Sequence, residues 1–318
     1  MKVSFSIIVP VYNRPNEIDE LLNSLTKQNF SDDFEVLIIE DGSAIKGDTI
    51  VEKYKSKLKI KYFFKENTGA GASRNFGMQR ASGNYFIILD SDVIVPLQYL
   101  SEVKKALENH FTDAFGGPDA AHDSFTSLQK AINYSMTSFL TTGGIRGKKQ
   151  AIGKFQLRSF NLGMSQKAFS ETDGFSKMKN GEDIDLTFRV WQAGFETQLI
   201  EKAYVYHKRR STIQQFFKQT FGFGTARPIL NKKYPKTGKL TYWFPSLFII
   251  GYNVSIILVM FDFNQLLYSY GFYFLLIFLD SLFQNKNVQV ALLSIATSFT
   301  QFLGYGLGFL QSFVFNKK

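Results

Sequence analysis

Past Leu240 the chain almost stops carrying charge. Tyr242 to Phe261 holds no charged residue, Leu266 to Leu279 holds none before Asp280, and Val288 to Phe315 holds none. A helix that crosses a hydrocarbon layer about 30 Å thick needs roughly 20 apolar residues at ~1.5 Å of rise each. The first and third runs reach that length. The second is short and ends at Asp280, which leaves a tilted span, a hairpin partner or an interfacial helix open. A helix in a water-soluble core keeps a polar face, and the third run has no charged position at any helical spacing. Two or three transmembrane helices are therefore expected over residues 241–318. Within the last run Gly304 and Gly308 stand four apart, with Gly306 between them, a spacing that permits close helix packing.

The charge that remains is unevenly placed. Lys and Arg total 37 against 27 Asp and Glu, a formal charge of +10. Every charged residue from Lys202 to Lys239 is basic. A basic block before a first span holds that side in the cytoplasm and attracts anionic lipid. Membrane lipid, not nucleic acid, is the expected partner of this charge. The segment 211–240 is basic, and Ser211 to Arg227 is rich in Phe and Gln, which suits an interfacial position. The expected location is a cell inner membrane, multi-pass, with residues 1–240 forming a cytoplasmic domain. No cleavable signal is expected, since Met1, Lys2 and Val3 lead directly into a strand. The chain has no cysteine, which excludes disulfides, thiolate zinc sites and a Cys nucleophile.

Residues 1–240 read as strands alternating with helices. Phe5 to Val9 is an apolar, β-branched run closed by Pro10, the pattern of a buried parallel strand. Leu21, Leu22 and Leu25 follow at helical spacing, with Asn16 as the expected cap. Strands are predicted over Phe34–Ile39, Ile60–Phe64 and Tyr85–Leu89, and helices over Asp48–Lys57, Ala70–Ala81 and Leu97–Asn109. Such alternation predicts an α/β fold: a mostly parallel sheet, Rossmann-like, with helices on both faces. Ligands then bind beyond the carboxyl ends of the strands.

Those ends carry the polar residues. The first strand ends in Val9-Pro10-Val11-Tyr12-Asn13-Arg14, the second in Glu40-Asp41-Gly42-Ser43, the fourth in Asp90-Ser91-Asp92. Two carboxylates one residue apart suit a hard divalent cation, Mg²⁺ or Mn²⁺, which keeps open positions for a diphosphate; a helix cap or turn is the plainer use of the same residues. Asp41 suits a base N–H or a ribose hydroxyl, or simply a turn before Gly42. The stretch Asn67 to Gly77 opens a helix with small residues, as anion sites do, though its glycine spacing is not the dinucleotide fingerprint. Arg74 there would face a phosphate or base, or pair with an acid. Gly181-Glu182-Asp183-Ile184-Asp185-Leu186 starts a helix running to Ala193; three acids suit the helix dipole, while Leu186, Phe188, Val190 and Trp191 anchor the core and free one carboxylate as a general base. His207 ends an alternating strand, a candidate third metal ligand, with Lys208 and Arg209 beside it for a leaving diphosphate.

Taken in order, these motifs make residues 1 to about 235 resemble the family 2 glycosyltransferases, which have the GT-A fold. The resemblance rests on Val9-Pro10-Val11-Tyr12-Asn13, Glu40-Asp41-Gly42-Ser43, Ser73-Arg74-Asn75-Phe76-Gly77, Asp90-Ser91-Asp92, Gly181 to Leu186, and His207. It implies transfer of a sugar from a nucleotide-diphosphate donor with inversion at the anomeric carbon. Pro10, Val11, Tyr12, Asp41 and Arg74 match nucleotide positions, commonly for uridine. Asp92, with Asp90, matches the metal and diphosphate positions, and His207 a metal ligand. Asp183 matches the base that takes the acceptor's proton, with Glu182 beside it. The chain departs from the pattern at Glu40, where Asp is usual, and at Ser73, where Ala is usual. It also lacks the Gln-x-x-Arg-Trp motif of processive synthases, having Gln214-Gln215-Phe216-Phe217-Lys218 instead. The expectation is an inverting, non-processive transferase acting on a lipid-linked saccharide. A processive polysaccharide synthase and a catalytically silent membrane scaffold are the alternatives.

Overall fold

The structure is a computed structural model that describes residues 3–143 and 155–315. In chain order its elements are β1 (Phe5–Val11), α1 (Pro15–Leu25), β2 (Phe34–Asp41), α2 (Asp48–Glu52), β3 (Lys59–Lys65), α3 (Ala70–Met78), β4 (Tyr85–Leu89), β5 (Val93–Ile94), α4 (Tyr99–Asn109), β6 (Ala114–Gly116), β7 (Asp119–Ala120), α5 (Ser127–Thr137), α6 (Phe139–Thr142), β8 (Asn161–Ser165), α7 (Gln166–Thr172), α8 (Glu182–Gln192), β9 (Thr197–Leu199), β10 (Val205–His207), α9 (Ile213–Lys233), α10 (Phe244–Val259), α11 (Gln265–Asn285) and α12 (Val288–Phe315). They form two compact units, one of residues 3–122 and 155–208, the other of 123–143 and 209–315.

The first unit is built on a seven-stranded sheet of order β3-β2-β1-β4-β8-β6-β9. β1, β2, β3 and β4 are parallel, and β8 runs antiparallel to both of its neighbours. Successive side chains of a strand point to opposite faces, and here both faces are covered. Ile7, Val9, Val36, Ile38, Ile87 and Leu89 pack with Leu21, Leu22 and Leu25 of α1 and Tyr99 and Leu100 of α4. Ile8, Leu37, Ile39, Phe86 and Ile88 pack on the other side with Met78, Ala168, Leu186 and Val190. That two-sided burial explains why β1 and β2 read as continuous apolar runs. A smaller sheet of order β5-β10-β7 carries His207 at its centre strand.

Several boundaries differ from the sequence reading for local reasons. α1 begins at Pro15, not after an Asn16 cap: proline at the first helical position has its φ already set and no N–H to satisfy. The predicted helix from Asp48 ends at Glu52 and gives way to turns. Pro10 lies inside β1, beyond Ile8, where pairing with β4 stops, so only one side of the strand is laddered there.

The second unit is helical. Leu240–Val259, Gln265–Asn285 and Val288–Phe315 are all long and apolar enough to cross a membrane, with mean hydropathies of 1.6, 1.6 and 1.4. Asp280 does not end the second run, as the sequence suggests; it lies within α11, where Tyr134 Oη donates to it at 2.6 Å and Ser138 Oγ at 3.1 Å. α9 lies along α12. A Cβ at Gly304 would sit 2.2 Å from Thr220 Oγ1 and one at Gly308 2.2 Å from the Phe221 carbonyl, so the expected close packing is realised, against α9. Leu247, Ile257, Phe272 and Leu279 remain about half exposed, as lipid-facing side chains would be.

Candidate active site

The carboxyl ends of β1, β2 and β4 lie at one edge of the parallel sheet, and the chain places there the residues singled out above. Asp92 is the most constrained. It is 9% exposed, and its carboxylate is ion-paired with Arg14 and lies 3.2 Å from His207 Nε2. Burial alone would push the Asp92 pKa up; His207 and Arg14 outweigh it and hold the carboxyl well below the usual range. A carboxyl held in that direction favours the ionised form that a metal ligand requires. Its Oδ1 is buried and accepts no aligned hydrogen bond among the described residues. Asp90, Asp92 and His207 each offer a ligand atom, and these atoms lie within 4.8 Å of one another. Two carboxylates and an imidazole form a donor set that suits a divalent cation.

His207 is oriented by its surroundings. Its ring stacks on Phe160 with centroids 4.8 Å apart, and Nδ1 lies 3.9 Å from the buried carboxylate of Asp119. The antiparallel pairing of His207 with Val93 brings β10 beside the Asp90–Asp92 turn, and the Lys208 N–H donates to the Asp92 carbonyl at 2.9 Å.

Arg74 ties the turn to α8. It is 3% exposed, and its guanidinium bonds Asp90 at 2.8 Å and Glu182 at 3.1 Å. Burial would lower its pKa, but Asp90, Glu182 and Asp183 raise it. Glu182 is raised as well: burial and then Asp183 push its carboxyl up, against the pull of Arg74. The third acid of this first turn, Asp185, is wholly buried and accepts from Arg189 Nε at 2.9 Å, while Arg189 Nη2 donates to the Gly174 carbonyl. Of the three acids, two are held by arginines. Among the described residues Asp183 Oδ1 accepts only from the neighbouring Ile184 N–H, at 2.8 Å, and the residue is half-buried.

Asp41 is 4% exposed at the end of β2. It accepts from the backbone N–H groups of Thr68 and Gly69, both at 2.9 Å, and is ion-paired with Lys65. Burial would raise its pKa; Lys65 and the Thr68 N–H bring it down. The anion at the start of α3 is thus the protein's own carboxylate. Gly69 takes φ +91, a conformation that L side chains rarely adopt. Pro10 and Val11 are buried in β1, whereas Tyr12 is 53% exposed just past it. Lys208 Nζ bonds Glu20 at 2.6 Å, and Arg209, in the second unit, donates to Asn133 Oδ1 at 3.1 Å.

Four contributors were not marked by the sequence. Arg14 stands in the quoted strand end, but nothing in the spacing marks it as the partner of Asp92. Asp119 and Phe160 are single residues far along the chain, and only the sheet brings them to His207. Lys65 is visible as the last residue of a predicted strand neighbourhood, yet its pairing with Asp41 depends on the β2–β3 register, in which the two residues stand side by side.

This sheet, with a carboxylate turn after its fourth strand and an acidic helix start tied to it by Arg74, keeps the motif order of the resemblance. The chain belongs to glycosyl transferase family 2, whose family model matches residues 6–172. Among curated relatives, poly(ribitol-phosphate) beta-N-acetylglucosaminyltransferase TarS of Staphylococcus aureus is 38% identical over 114 residues, 35% of this chain and 20% of the relative. Chondroitin synthase of Pasteurella multocida is 25% identical over 240 residues, 65% of this chain and 25% of the relative. The chain thus spans a fifth to a quarter of these relatives. Among solved structures, the mannosyltransferase PcManGT from Pyrobaculum calidifontis, in complex with GDP-Man and Mn²⁺, has a TM-score of 0.61 at 15% identity, covering 100% of this chain and 89% of that one. S. aureus TarS 1–349 in complex with UDP has a TM-score of 0.50 at 25% identity, covering 70% and 64%. These likenesses show the GT-A fold.

Proposed function

We propose that the protein is an inverting, metal-dependent glycosyltransferase that moves a sugar from a nucleotide-diphosphate donor, a UDP-sugar, to a hydroxyl of a lipid-linked saccharide at the cytoplasmic face of a cell inner membrane. Residues 1–240 are the catalytic domain and 241–318 the membrane region. The observation that carries the reading is the convergence of Asp90, Asp92 and His207 on one point, with Arg74 linking that turn to the acidic start of α8.

Asp92 and His207, with Asp90, would hold Mg²⁺ or Mn²⁺; the bound cation supplies positive charge against a diphosphate. Pro10, Val11, Tyr12 and Asp41 border the nucleotide, and Tyr12 offers an exposed ring at the mouth of the site. Arg74 holds Asp90 and Glu182 at fixed separation, which orients both carboxylates. Asp183 takes the proton from the acceptor hydroxyl. The acceptor oxygen then bonds to the anomeric carbon as the bond to the diphosphate oxygen breaks, and that oxygen leaves with the electron pair. Attack from the face opposite the leaving group inverts the anomeric centre in one displacement. Lys208 is the cation of the first unit for the leaving diphosphate.

The lipid-linked acceptor rests on the membrane-length helices that share the chain. The absence of a Gln-x-x-Arg-Trp motif favours single transfer over processive synthesis. The retained acids Asp41, Asp90, Asp92 and Asp183 argue against a silent scaffold. The test is a panel of nucleotide sugars, scored by nucleoside diphosphate release in detergent with native lipid extract. One or more UDP-sugars should release UDP only with metal and lipid extract present; release from none of them would overturn the reading.

A further inference from the structure

Arg227, in α9, is a buried cation of the second unit. It is 7% exposed, its guanidinium carbon lies 4.1 Å from the centre of the Tyr242 ring, and Nη1 is buried with no hydrogen-bond partner among the described residues. No acid is near in sequence: from Lys202 to Phe261 the chain holds no Asp or Glu, and Val288 to Phe315 holds none either. A buried, unpaired guanidinium is costly unless an anion meets it. One helical turn later on the same face of α9, Asn231 Oδ1 is also buried and unpartnered.

The level of this pair along the helices is set by its neighbours. Tyr242 and Trp243 immediately precede α10, and Trp243 packs against Phe309 and Phe313 at the end of α12, with centroids 4.8 Å apart in both pairs. Tyr and Trp at the start of an apolar run mark the water–lipid boundary. Exposed Lys232, Lys233, Lys236 and Lys239 stand in the same stretch and make the local potential positive.

We propose that Arg227 and Asn231 form a subsite for a phosphate oxyanion at the membrane surface, of the kind a phospholipid headgroup carries. The inference goes beyond the sugar-transfer site and rests on the membrane reading of residues 240–259. Arg227 Nη1 donates to one phosphate oxygen, a charge-assisted bond in a partly desolvated place. Asn231 contributes a second donor: rotating its amide by half a turn puts Nδ2 where Oδ1 now stands, and no hydrogen bond among the described residues holds the present orientation. The Tyr242 ring covers one face of the guanidinium.

The test uses the full chain in two settings. In nanodiscs of phosphatidylcholine doped with phosphatidic acid, native mass spectrometry counts retained phosphatidic acid; in detergent, inorganic phosphate is titrated and the thermal midpoint followed. Wild type should retain phosphatidic acid at least about tenfold more than Arg227→Met, a loss equivalent to about 1.4 kcal/mol, with Asn231→Leu intermediate. Stabilisation by inorganic phosphate that Arg227→Met abolishes would support the same subsite with free phosphate as the source. Equal retention and equal phosphate response in wild type and Asn231→Leu, a variant that keeps the charge and the Tyr242 contact, would overturn the proposal. The detergent arm needs no bilayer, so it reads the subsite even if carbonate extraction rejects the membrane assignment.

Discussion

Asp183, Glu182 and Asp185 occupy a single helical turn and meet three different fates. Asp185 is buried against Arg189, and Glu182 is held by Arg74. Asp183 keeps a carboxylate that no cation side chain bonds among the described residues, at a half-buried position. Asp183→Asn should therefore leave donor affinity nearly intact and lower turnover by ~10² or more, as loss of a general base does. Steady-state transfer by the purified variant, alongside nucleotide titration, checks this; near wild-type turnover would remove Asp183 from the role. The candidates Asp90, Asp92, Asp183 and His207 were legible in the sequence because their motifs keep fixed places after strands and at a helix start. Arg14 and Asp119 were not, because ion pairing across 78 positions and the approach of β7 to β10 follow from the assembled sheets and leave no local pattern.

At the scale of elements, the strands of the parallel core were the most readable. Two-sided burial makes Ile7–Val11, Val36–Ile39 and β4 continuous apolar runs. The antiparallel insertion of β8 between β4 and β6 was not readable, since Asn161–Ser165 carries no turn or alternation signal that names its neighbours. β2 also contains a titrating ion pair away from the site. Glu35 accepts from Ser6 Oγ at 2.6 Å and the Ser82 N–H, and Lys61 Nζ lies 2.9 Å away. Burial would raise the Glu35 pKa, but Lys61, Ser6 and Ser82 lower it to about 2 from 4.5. A depressed carboxylate gives stability that is present above the unfolded pKa and lost as pH falls through the folded one. Thermal midpoints of the full chain in detergent should thus fall between pH 5 and about pH 2, and Glu35→Gln should flatten that fall. Lys61 is 48% exposed, so the difference is modest, about 1 kcal/mol. An unchanged slope in the variant would assign the acid sensitivity elsewhere.

For the molecule as a whole, the charge-free runs were the strongest signal and gave the helical unit its place in the chain. The second run, left open between a tilted span, a hairpin partner and an interfacial helix, forms a helix that continues past Asp280 to Asn285. Its acid reads as a terminus in sequence, yet Tyr134 and Ser138, from a segment more than a hundred residues earlier, satisfy Asp280 within the helix. The three runs predict an integral protein: it should pellet with membranes and resist carbonate at high pH. Release into the supernatant would leave peripheral attachment only.

The account depends on Asp90, Asp92 and His207 acting together as a divalent-cation site for the donor diphosphate. Calorimetric titration of a UDP-sugar into the full chain in detergent, with and without Mn²⁺, tests this most directly when wild type and Asp92→Ala are compared. Wild type should bind at least tenfold more tightly with Mn²⁺ than without, and Asp92→Ala should show no metal dependence. Equal wild-type affinity in both conditions, or a metal dependence that survives in Asp92→Ala, would contradict it.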